Sequence, residues 1–104
     1  MKISITARHF SISEDTRAYV DNEIQKVQKI FDRIVSANII LERIKDYEYE
    51  TEIIIQAPLK TMTIHEKDED LIKSVDLAVN KIIRQLKKYK GHFKTKHEKL
   101  NDDQ

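Results

Sequence analysis

This sequence predicts an α+β fold: a two-layer domain of order β-α-β-β-β-α, whose four-stranded sheet carries both helices on one face. Three observations predict it. Strict apolar–polar alternation marks four short segments, at residues 2–7, 35–43, 49–57 and 61–66. Two longer segments, from Ser11 or Ser13 to about Phe31 and from Asp68 to Lys90, repeat their apolar residues with a helical period. The order of these segments permits a strand–helix–strand crossover followed by a meander, and both helices bury their apolar faces most economically on one side of the sheet.

In the first strand Ile3, Ile5 and Ala7 point one way and Lys2, Ser4, Thr6 and Arg8 the other. Ser11 or Ser13 then offers an N-cap, with Glu14 and Asp15 in the first turn, where the helix dipole favours anions. The apolar sector of this helix holds Tyr19, Val20, Ile24, Val27, Ile30 and Phe31, and Asn22, Lys26, Lys29 and Arg33 form a separate polar-basic stripe. Val35, Ala37, Ile39 and Leu41 share one face of the second strand, and Lys45-Asp46 forms a turn. The third strand alternates Tyr49, Thr51, Ile53, Ile55 and Ala57 with Glu48, Glu50 and Glu52, an acidic outer face. Pro58 turns the chain into a short fourth strand, with Met62 and Ile64 inward.

The last helix gathers Leu71, Ile72, Val75, Ala78, Val79, Ile82, Ile83, Leu86 and Tyr89 in one sector. Lys73, Lys81, Arg84, Lys87 and Lys88 oppose them, with Leu77 as the apolar exception. Asp68, Glu69 and Asp70 occupy the expected N-terminus, and Gly91 stands where a left-handed cap would end the helix. Domain organisation follows: residues 1–90 form a single folded unit, and residues 91–104, which lack a period, are expected to be a disordered tail.

Composition narrows the function. The net charge of +1 hides a strong polarity: residues 1–80 carry 11 basic and 15 acidic groups, whereas residues 81–99 carry 8 and 1. Such a distribution aims one cationic face at a polyanion. There is no cysteine, which excludes disulfides and thiolate chemistry, and no apolar run approaches membrane-spanning length, so a cytoplasmic protein is expected. His9, His65, His92 and His97 show no metal-ligand spacing, and one glycine cannot build a phosphate loop. Asp68, Glu69 and Asp70 read as capping and dipole groups rather than a magnesium cluster. Neither an enzyme, a cofactor nor a small-molecule substrate is expected. The surviving constellation is the pair of basic helix stripes, which can bridge backbone strands of a folded RNA, Arg84 bidentately and the lysines as point charges. Tyr89 and Phe93 are candidates for base stacking or for sealing the core.

Residues 70–90, DLIKSVDLAVNKIIRQLKKYK, resemble the signature helix of the ribosome hibernation factors, a family that includes the hibernation-promoting factors and protein Y. The opening MKISITARHF resembles that family's first strand, and residues 16–27, TRAYVDNEIQKV, its first helix. The resemblance implies a monomeric domain that binds the small ribosomal subunit between head and body, covers the messenger and transfer RNA paths, and holds the ribosome idle. Carried over by position, the rRNA contacts would be Lys81, Arg84, Lys87, Lys88 and Lys90 on the second helix, then Lys26, Lys29, Arg8 and His9. Lys73-Ser74 departs from the family's small, Ala-rich pair and reads as a surface change. The short tail implies a short form without a second, dimerising domain. The rivals are a generic double-stranded-RNA-binding module, whose layout the predicted fold resembles, and an adaptor that uses Leu77 and the acidic sheet face.

Overall fold

The computed structural model describes the backbone of residues 1–102 and the side chains of residues 1–91. Its elements are β1 (Lys2–Arg8), α1 (Glu14–Ile30), β2 (Ser36–Lys45), β3 (Glu48–Ala57), β4 (Lys60–Asp68) and α2 (Leu71–Asp102). The strands lie in the order β1-β2-β3-β4, with β1 and β2 parallel across the α1 crossover and the other pairs antiparallel. The predicted class and order therefore hold.

The register explains why the sheet pairs as it does. Ile5, Ile39, Ile53 and Ile64 stand directly opposite one another in one row across all four strands. A slip of one residue would turn every one of them to solvent. The inner face of β2, β3 and β4 joins Val20, Ile24 and Val27 of α1 with Val75, Val79, Ile82 and Leu86 of α2 in a single buried cluster. Each such side chain contributes roughly 1.5–3 kcal/mol by leaving water.

β1, β2 and β4 run in one direction, so α1 and α2, which follow β1 and β4, both return in the other. The helices are thus parallel. Tyr19 of α1 donates its phenol proton to Asp76 Oδ1 of α2 at 2.5 Å, joining the sixth residues of the two helices. That hydrogen bond, then burial and the Asp76 charge, push the Tyr19 pKa up to about 12. The interhelix bond is consequently intact across the physiological pH range.

The helix starts follow the capping chemistry. Ser13 caps α1 by accepting from the Thr16 N–H at 3.1 Å, which selects Ser13 over Ser11. The Asp70 carboxylate accepts from the Ile72 N–H at 3.1 Å and the Asp68 carboxylate from the Asp70 N–H at 2.9 Å. Asp68 closes β4 and Asp70 is the cap, so the three acids precede α2 rather than occupying its first turn.

Three local expectations need correction. Gly91 does not take a left-handed conformation, and α2 continues through it to Asp102. The side chains of residues 92–104, and residues 103–104 entirely, lie outside the described residues. Glycine weakens a helix interior by about 1 kcal/mol without terminating it. Val35 is 53% exposed, and its neighbour Ile34 is buried instead, because β2 pairing begins only at Ser36. Ser74 is no surface residue: it is fully buried against β3. Its hydroxyl donates to the Leu71 carbonyl at 2.6 Å, so the Thr51 hydroxyl, 2.8 Å away, must donate to it. Thr51 thus donates to Ser74 and Ser74 to the α2 backbone, so both hydroxyl protons are satisfied.

Candidate nucleic-acid interface

Inward Val79, Ile82 and Leu86 orient α2, and that orientation sends Arg84, Lys87 and Lys88 into solvent with Lys81 and Lys90 half-buried at the flanks. Because the helices are parallel, the basic last turn of α1 lies beside the same stretch. Lys29 and Ile30 line an open cleft of about 330 Å³ with Lys87, Lys90 and Gly91. On the other flank of α2, Lys88 shares an open cavity of about 420 Å³ with Lys60, Met62, Gln85 and Tyr89. Periodicity assigned no role to Lys60, which stands alone beside a turn and meets Lys88 only in the tertiary structure.

The cations are not equivalent. Lys26 pairs with Glu23 at 3.0 Å and Lys81 with Glu66 of β4 at 3.2 Å. Among the described residues, Lys29, Arg84, Lys87, Lys88 and Lys90 form no ion pair. Lys29 also sits in the last turn of α1, where the helix C-terminus places partial negative charge that a lysine complements. Lys26 lies one turn further from this end than Lys29.

Arg8 and His9 are not brought into this group. Arg8 ends β1 and His9 follows it, at the far end of the sheet from residues 84–90 of α2, and Arg8 projects from the face opposite the helices. His9 adopts a positive φ of 68° and its Nδ1 lies 3.1 Å from Glu42. The acidic sheet face is also less bare than its sequence implies. Glu50 and Glu52 flank His65 at 3.3 and 3.5 Å, and Glu48 lies 3.5 Å from Lys45 and 3.8 Å from Lys67. The polarity of the domain therefore runs along the helices, from the acidic start of each towards Lys29 of α1 and residues 81–90 of α2, more than from sheet to helices.

Tyr89 seals the core rather than offering a free ring. It meets Phe31 edge-on at 5.5 Å, and its hydroxyl accepts from the Leu59 N–H at 3.3 Å. The Phe93 side chain lies outside the described residues. Among the described residues there is no group of three or more His, Asp or Glu placed to hold a metal, and no helix is long and apolar enough to cross a membrane.

Residues 3–94 match the family model described as Sigma 54 modulation protein / S30EA ribosomal protein. The chain is 27% identical over 90 residues to a ribosome hibernation promoting factor of Pseudomonas putida, covering 86% of this chain and 87% of that protein. It is 28% identical over 107 residues to the ribosome hibernation promotion factor of Staphylococcus aureus, of which it spans 56%. Among solved structures, a ribosomal subunit interface protein from Coxiella burnetii superposes with a TM-score of 0.80 at 27% identity, covering 88% of this chain and 99% of that one. The Protein Y N-terminal domain of Thermus thermophilus shares the fold, with a TM-score of 0.78 at 24% identity over 86% of this chain and 99% of that one.

Proposed function

We propose that this chain, which belongs to the Sigma 54 modulation protein / S30EA ribosomal protein family, is a cytoplasmic ribosome hibernation factor. Residues 1–90 bind the small ribosomal subunit in its decoding cleft, exclude messenger and transfer RNA, and so inhibit translation without catalysing a reaction. The observation that carries this reading is the convergence, at one end of the domain, of cations from two parallel helices that form no ion pair among the described residues. Names given to similar proteins, as hibernation promoting factors and as a subunit interface protein, support the ribosome as the partner. Lysines on two elements can address phosphates on separate RNA strands, so the contact depends on the shape of the folded RNA rather than on its sequence.

Co-sedimentation tests the mechanism. The domain should bind isolated small subunits saturably in excess competitor duplex RNA, and it and initiator transfer RNA should exclude one another. Equal affinity for subunit and duplex would reduce the chain to a general RNA binder. Simultaneous binding of domain and transfer RNA would refute the steric mechanism.

The Glu66–Lys81 pair adds a finer expectation. Glu66→Gln frees Lys81 for phosphate and removes a nearby like charge, so binding should tighten by about 0.2–1 kcal/mol, the range of exposed ion pairs. Weaker binding would show that Glu66 positions Lys81 instead of competing for it.

A further inference from the structure

The β3–β4 turn adjoins the cationic half of α2. Ala57 and Lys60 pair at its base, leaving Pro58 and Leu59 as the whole connection. The proline ring holds its φ near −65°, and neither residue has a positive φ, so the turn is a narrow and stiff one. Its tip is tied to α2 by the Leu59 N–H, which donates to the Tyr89 hydroxyl at 3.3 Å. Tyr89 is itself held edge-on by Phe31 of the core. These restraints keep Lys60 at the rim of the cavity that also contains Lys88, over a floor of Met62, Gln85 and Tyr89. Both lysines are exposed, and neither forms an ion pair among the described residues. Two cations facing one open cavity without a carboxylate between them favour an anion there.

We infer that Lys60 and Lys88 form a second phosphate-binding site, on the β4 flank of α2. The docked end of the helix then stands between two RNA backbone strands: one is held by Lys29, Lys87 and Lys90 on the α1 flank, the other by Lys60 and Lys88. A helix with its side chains is about 10–12 Å across. Sites on its two flanks suit two backbone strands better than neighbouring phosphates of one. This inference rests on the RNA-binding reading above, and it adds a third element, the β3–β4 turn, to the two helices.

The test uses the full chain and isolated small ribosomal subunits, with binding measured over a range of monovalent salt. Lys60→Glu should weaken binding roughly tenfold or more, as loss of a charge-assisted hydrogen bond plus repulsion implies. Lys60→Ala should weaken it less and flatten the slope of log affinity against log salt by about 0.7–0.9, the value for one phosphate contact. Lys60→Arg should bind like the parent. Lys67→Glu, the same charge change at the other end of β4, should bind within about twofold of the parent, because it lies away from the proposed contact. Lys60→Glu binding like the parent, or losing no more than Lys67→Glu, overturns the second site. The Arg84→Ala/Lys88→Ala variant, run alongside, separates the two readings. If it weakens binding while Lys60→Glu does not, only the β4-flank site fails. If neither weakens it, the RNA-binding reading falls as well.

Discussion

Replacing Arg84 and Lys88 together with alanine should leave the domain folded and weaken its binding to small ribosomal subunits by roughly 2–4 kcal/mol, at about 1–2 for each charged hydrogen bond lost. Both side chains are exposed, one helical turn apart, and neither makes an ion pair among the described residues. Their removal therefore costs the isolated domain little, within about ±1 kcal/mol by thermal melting. The salt dependence should become shallower, because about two phosphate contacts disappear. Glu50→Gln with Glu52→Gln is the matched control on the opposite layer, where the acids face His65, and it should change neither property appreciably. A double alanine variant that unfolds would mean that this face supports the core. One that folds and binds normally would mean that the cationic stripe is merely solvated.

Leu86→Ala should do the reverse. Leu86 is completely buried between α2 and the sheet, on the same helical turn as Lys87 and Lys88. Leucine-to-alanine substitution at such a site costs about 2–5 kcal/mol, through lost transfer energy and the cavity left behind. That is a large share of the roughly 5–15 kcal/mol that holds a domain folded. At about 4–8 °C per kcal/mol for a domain of this size, melting should fall by roughly 8–40 °C. The molecules that remain folded should keep subunit affinity within about threefold of the parent, since every cation stays in place. A melting shift worth less than about 1 kcal/mol would show that α2 is not seated as described, and a large loss of affinity in the folded fraction would give Leu86 a direct part in binding.

These opposite expectations for neighbouring residues show how much of the site is written in the chain. Helical spacing alone separates Leu86 from Arg84 and Lys88, because a residue's angle around the helix follows from its number. Alternation does the same for Ile39, Ile53 and Ile64, which form one row of the sheet. Capping chemistry limits the start of α1 to Ser11 or Ser13, and the hydrogen bond to Thr16 selects Ser13. These are local properties, set by backbone geometry and by which side chains leave water, and they are legible in the chain alone, along with the α+β class and the basic character of residues 81–99.

Other features depend on what lies across the fold, beyond the reach of local spacing. Ser74 is buried because Thr51 of β3 supplies its hydrogen-bond partner, 23 positions away. Lys81 and Lys88 look alike on a helical wheel, yet Glu66 neutralises one and Lys60 stands across a cavity from the other. Arg8 and His9 lie at the wrong end of the sheet to join the helix cations, a consequence of strand direction rather than of any local motif. Gly91 carries the chemistry of a helix stop, but the helix continues, because a glycine costs about 1 kcal/mol and that is too little to end a run of good helix formers. Periodicity assigns each residue a direction from its own element; which charges meet depends on how the elements are set against one another.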